Sequence, residues 1–248
     1  MKQYKKACRR TIITAIAVML CIGSAAAWFA VGSRAKMNGM TVRIAEGESG
    51  GIVLCTSGKG TYTDFLTIEA ETVDMLPCTT ADGENFFTVK DGVSANGTSA
   101  GEVDRFSVET VESVSGTEYI NEFWIYVKSS DATEYANLSV SDIILSGNGA
   151  EDAISAALRV SVTYNGETKI YVPLESSTTA YKSISNVTGN PVTVNTNQLG
   201  EPFESGVTGS YKQIIVKAWY EGQDSACTSE NRANTTGNVN ITVEFSAE

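Results

Sequence analysis

From Met40 onward, hydrophobic and polar positions alternate in short runs. Val239, Ile241, Val243 and Phe245 alternate with Asn240, Thr242 and Glu244, and Ile214, Val216, Ala218 and Tyr220 with Gln213, Ile215, Lys217 and Trp219. Met40, Val42 and Ile44 do the same against Thr41 and Arg43. A strand with one face on a core imposes this period of two. Further runs rich in β formers span 51–56, 62–70, 85–89, 103–111, 119–128 and 138–145. Asn165-Gly166 stands between the runs 158–163 and 168–174. Asn-Gly supplies the positive φ angles of a tight turn, so a hairpin is predicted there. Only 151–158 has helical character, and the strand that follows competes for its second half. Ten or more short strands, joined by Gly, Ser, Thr and Asn with no linker or internal repeat, predict one all-β domain. A two-sheet antiparallel sandwich is the expected architecture.

The amino-terminal end follows another rule. Lys2, Lys5, Lys6, Arg9 and Arg10 precede 21 uncharged residues, Thr11 to Val31, just long enough to cross a bilayer. A basic head, a compact apolar centre from Ile12 to Ile22, and Ala25-Ala26-Ala27 have the form of a secretory signal. Ala25 and Ala27 take the small-residue positions of the cleavage site, and Trp28 becomes the first mature residue. An uncleaved membrane anchor is the other reading, and basic residues ahead of the apolar run place the body outside in both. Leu20 precedes Cys21, where a lipoprotein signal requires a small residue. The expected organisation is a signal peptide or anchor over 1–27, a mature amino-terminal segment over 28–38 and a β-sandwich over 39–248. The expected location is the extracellular cell surface or the medium, with membrane contact only through the amino-terminal segment.

Charge and composition narrow the function classes. Five of the 18 basic residues fall in the first ten positions, so the remaining 13 face 29 acidic residues, a balance of −16. Such a body repels phosphate backbones, and nucleic-acid binding is not expected. The chain contains no histidine. This removes His-ligated zinc, the Ser-His-Asp arrangement, Cys-His pairs and the usual general base near neutral pH. Cleavage after Ala27 would leave Cys55, Cys78 and Cys227. In an oxidising exterior, one disulfide of unassigned pairing plus one free thiol is one outcome, and three buried unpaired cysteines the other.

Candidate chemistry is sparse. Gly-x-Ser-x-Gly occurs at 47–51 and 97–101, but a nucleophile elbow needs a strand before it, a helix after it and a histidine elsewhere. Asp82, Glu84 and Asp91, or Glu221, Asp224 and Glu230, offer oxygen ligands of the kind calcium takes. Neither group has EF-hand spacing, and acid–glycine pairs are also ordinary turn residues. No other cofactor is expected. Glu69 and Glu71 share a strand face, where two carboxylates are more readily solvated than paired for glycoside hydrolysis. Trp124 with Tyr126, and Trp219 with Tyr211, would form a carbohydrate platform if exposed, or core and edge packing if not.

The junction Ala25-Ala26-Ala27-Trp28-Phe29, followed by Met37-Asn38-Gly39-Met40-Thr41-Val42, resembles exported proteins of the TasA/camelysin group of Gram-positive bacteria. The stretch from Ala218 to Asp224 with Cys227, and the final strand ending Glu244-Phe245, are similar to clostridial members of that group. The resemblance covers the first forty-odd and last forty residues. It implies a jelly-roll sandwich that assembles into biofilm-matrix fibres, with itself or other matrix proteins as partner. The mature amino-terminal segment then completes a sheet in the next subunit. Carried onto this chain, the donor strand is Trp28 to about Ile44, with Trp28, Phe29, Val31, Met40, Val42 and Ile44 as its apolar residues. An open sheet edge binds such a strand through backbone hydrogen bonds, and head-to-tail addition yields filaments. The peptidase activity attributed to camelysin is not carried over, because there is no histidine. The reading is therefore a non-catalytic extracellular structural protein. The competing reading is a surface-anchored carbohydrate- or protein-binding β-sandwich, calcium-dependent if the acidic loops bind the ion.

Overall fold

The computed structural model describes residues 35–45, 51–68, 73–80, 82–89, 108–111, 119–131, 133–172, 198–222, 224, 226–235 and 237–248. Two five-stranded sheets face each other within these residues, and a small third sheet is added to one of them. In the first, β1 (Ala35–Ile44) lies between β13 (Asn238–Ala247) on one side and β3 (Phe65–Ile68) with β4 (Val73–Met75) on the other. Beyond β13 comes β9 (Leu138–Ser146). In the second, the order is β11 (Glu167–Tyr171), β10 (Leu158–Tyr164), β12 (Lys212–Tyr220), β8 (Asn121–Ser129) and β2 (Ile52–Cys55). The ladders are antiparallel except β1–β13, which runs parallel with Val42 beside Val243.

The alternation read from the sequence supplies the two inner faces. Val42, Val239, Ile241, Val243 and Phe245 point inward from the first sheet. Phe123, Ile125, Val127, Val160, Val162, Ile214 and Val216 meet them from the second. In β1 a register shift between Met37 and Met40 lets both methionines turn into the core, which strict alternation would not allow. The hairpin at Asn165-Gly166 forms as expected, with φ of 51° and 84°. The hydroxyls of Thr163 and Thr168 meet across it at 2.8 Å.

The predicted helical stretch reduces to a 3-10 turn at Ala153–Ala157, and β10 claims Leu158. One short helix, α1 (Ser229–Ala233), begins where Thr228 Oγ1 accepts from the Asn231 backbone N–H at 3.1 Å. The third sheet consists of β5 (Thr79–Thr80), β6 (Phe86–Val89) and β7 (Val108–Val111). It covers part of the outer face of the second sheet, where Phe86, Ile120 and Cys78 cluster with Ile170 and Trp219. The Phe86 and Trp219 rings meet edge to face at 5.2 Å.

Candidate functional site

The outward residues of β8 and β12 give the second sheet its chemistry. Cross-strand register sets Glu122 beside Lys217, Trp124 beside Ile215 and Tyr126 beside Gln213, and β2 adds Cys55 beside Tyr126 and Val53 beside Lys128. The third sheet reaches the Lys217 row, where the Lys217 ammonium lies 5.6 Å from the Phe86 ring centre. Beyond that row, among the described residues, the outward rings stand exposed while Cys55 stays buried. Trp124 is 56% exposed and Tyr211 52% exposed, and Tyr126 is half-buried between them. The Trp124 indole N–H donates to Glu122 Oε1 at 2.5 Å. Tyr126 and Tyr211 meet edge to face at 5.6 Å, and Lys128 stands 4.4 Å over the Tyr62 ring. Trp219, the other platform candidate, has no exposed surface: the third sheet covers it, and its N–H donates to the buried Glu221 at 3.2 Å.

The donor-strand residues divide. Trp28, Phe29 and Val31, like the cleavage residues Ala25 and Ala27, lie outside the described residues. Met40, Val42 and Ile44 are buried in β1, whose backbone is paired on both sides in its own subunit. Arg43 and Glu244, side by side in the β1–β13 ladder, form an ion pair on the outer surface.

Of the calcium candidates, Asp91 lies outside the described residues, as do Glu69 and Glu71. The Asp82 carboxylate closes its own turn, accepting from the Glu84 and Asn85 backbone N–H groups at 2.9 and 2.7 Å and from Asn85 Nδ2 at 2.7 Å. Burial alone would raise its pKa, but these bonds and one from the Thr80 hydroxyl hold it below the usual carboxylate value. Glu84 accepts from the Thr168 hydroxyl at 2.7 Å and ties the turn to β11. Asp224 is turned inward, 2.6 Å from the buried Arg159 guanidinium. Among the described residues, no three Cys, Asp or Glu side chains converge as metal ligands.

Cys55, Cys78 and Cys227 are free and buried. Burial pushes the Cys227 thiol up to about 12, with Glu221 and Asp224 adding to the rise and Arg232 and Arg159 opposing it. Cys78 is raised as well, first by burial and then by Glu221 and Cys227. Thiols held in this form are poor nucleophiles and behave as core side chains. Sequence reasoning missed the buried charges beside them. Arg159 occupies an outward position of a strand, and the loop after β12 sets Asp224 against it. The chain matches no known family model, and a comparison with curated proteins finds no match.

Proposed function

We propose that this chain is a non-catalytic extracellular structural protein, a jelly-roll-type subunit of a cell-surface or biofilm-matrix fibre that assembles by β-strand addition. The observation that carries the reading is the place of β1. It runs up the middle of the first sheet, hydrogen-bonded to β13 on one side and to β3 and β4 on the other. It contributes Met37, Met40, Val42 and Ile44 to the core. Withdrawn, it leaves a slot with two unpaired edges and an apolar floor, and a copy of β1 from a neighbour fits that slot in the same register. The four side chains are worth roughly 6–12 kcal/mol at the usual gain per buried side chain. Both arrangements make the same contacts, so concentration and the hinge between β1 and β2 decide between them. The export signal and the resemblance at the amino-terminal junction favour the exchanged form.

A pair of engineered cysteines separates the two arrangements. Thr41 and Thr242 are register partners across β1 and β13. The chain from Trp28, carrying Thr41→Cys and Thr242→Cys, is to be concentrated, imaged by negative-stain electron microscopy and then oxidised. Strand exchange predicts fibres, and a ladder of covalent oligomers on a denaturing gel. A cross-linked monomer at every concentration overturns the proposal. Removal of residues 28–38, which takes away the start of β1, is expected to abolish the fibres.

A further inference from the structure

We infer that the outer face of the second sheet, centred on Trp124, Tyr126 and Tyr211, is a binding platform for a neutral polysaccharide. Three observations point to this class of ligand. First, the most exposed apolar side chains here are rings, with Ile215 and Val53 half-buried beside them. Equatorially linked pyranoses present flat faces of C–H groups that stack on such rings, and their rim hydroxyls need hydrogen-bonding neighbours. Gln213, exposed beside Tyr126, and Lys128, next on the same face of β8, supply them.

Second, the rings are already held. The Trp124 N–H is bound to Glu122, Tyr126 and Tyr211 brace each other, and Gly58 packs so closely on Tyr211 that an added Cβ would stand 2.8 Å from its ring. A ligand therefore loses little by ordering them. Trp124 and Tyr126 follow each other at the two-residue repeat of a strand, about 7 Å, so they line an extended track.

Third, charge selects against other occupants. The net charge of −11 repels acidic polysaccharides, nucleic acid and a second copy at long range, although the face itself carries Lys128 and Lys217 beside Glu122. A flat face-to-face contact lacks the backbone ladder that would offset such repulsion in strand exchange. A neutral glycan escapes this cost. The inference stands whether or not the chain polymerises.

The test uses the full chain in a sugar-free nonionic detergent. Its mobility is compared in native gels containing a soluble neutral β-glucan, hydroxyethyl cellulose, and in gels containing anionic dextran sulfate. Retardation by the neutral polymer alone is expected, at least tenfold weaker in Trp124→Ala and lost in Trp124→Ala/Tyr126→Ala. Trp124→Phe keeps a stackable ring and should retain most of the binding. Near-ultraviolet circular dichroism and the thermal midpoint show whether each variant is folded. Binding by none of the variants or the parent overturns the inference, as does retardation that Trp124→Ala leaves unchanged. An oligomer that Trp124→Ala dissolves, and that the glucan does not compete, also overturns it by assigning the face to a second copy.

Discussion

Arg159 and Asp224 meet at 2.6 Å with side chains 1% and 0% exposed. The guanidinium also donates to the Ala156 and Leu158 carbonyls at 2.9 and 2.8 Å, and Asp224 Oδ1 accepts from the Ala226 backbone N–H at 2.8 Å. The pair thus ties β10 and the 3-10 turn to the loop that follows β12. Two charges brought out of water are held by attraction that nearly cancels their desolvation cost, so the pair itself adds little net stability. Removing one partner is different, because it strands the other. Asp224→Ala is expected to cost roughly 3–5 kcal/mol in urea unfolding, whereas replacing both by apolar residues, Arg159→Met with Asp224→Leu, should recover most of the loss. Equal losses in the single and double variants would mean that the backbone contacts, and not the stranded charge, dominate. Nothing in the alternation around Arg159 marks it as buried, since an outward strand position reads as solvated until something covers it.

Strands β12 and β13 were legible because apolar and polar residues alternate along them, and β10 because the Asn165-Gly166 turn marks its end, although both faces of β10 are buried. In β8 the same pattern sets Phe123, Ile125 and Val127 inward and Trp124 and Tyr126 outward. It could not tell which outward residues stay open. Trp124 and Trp219 are both outward, yet one is 56% exposed and the other 0%, because the third sheet covers only one end of the face. Its strand β5 has two residues, too few for any period to show. The parallel pairing of β1 with β13 joins strands some two hundred residues apart, and alternation carries no partner information. The Phe86–Trp219 contact helps hold the third sheet to the second, together with the Cys78–Glu221 bridge and the Thr168–Glu84 hydrogen bond. Phe86→Ala should therefore cost roughly 3–5 kcal/mol as a buried large-to-small change. It should also let water reach the indole and shift Trp219 emission to longer wavelength, read in a Trp28→Phe/Trp124→Phe background. An unchanged emission maximum would show that other residues hold the cover in place.

The whole molecule carries its acidity on a body meant, on the reading proposed here, to stack with copies of itself. Each added subunit brings two like-charged bodies together, a repulsion that reaches about 10 Å at 0.1 M salt and about 30 Å at 0.01 M. The exchange of β1 works against this with short-range forces: backbone hydrogen bonds on both edges of the strand and buried side chains, which salt does not screen. Raising ionic strength should therefore favour growth, lowering the concentration at which fibres first appear and shortening the lag. Light scattering from the chain beginning at Trp28, followed between about 0.01 and 0.3 M sodium chloride, reads both quantities. The opposite trend, with fibres dissolving as salt rises, would mean that attraction between unlike charges holds subunits together. Arg43–Glu244 is placed for that role, because it spans the β1–β13 ladder on the outer surface and becomes an intersubunit pair once β1 is exchanged. Arg43→Ala distinguishes the two cases. Strand exchange driven by the core tolerates its loss with a change of at most about 1 kcal/mol per contact, the scale of an exposed ion pair, whereas assembly held by charge fails with it.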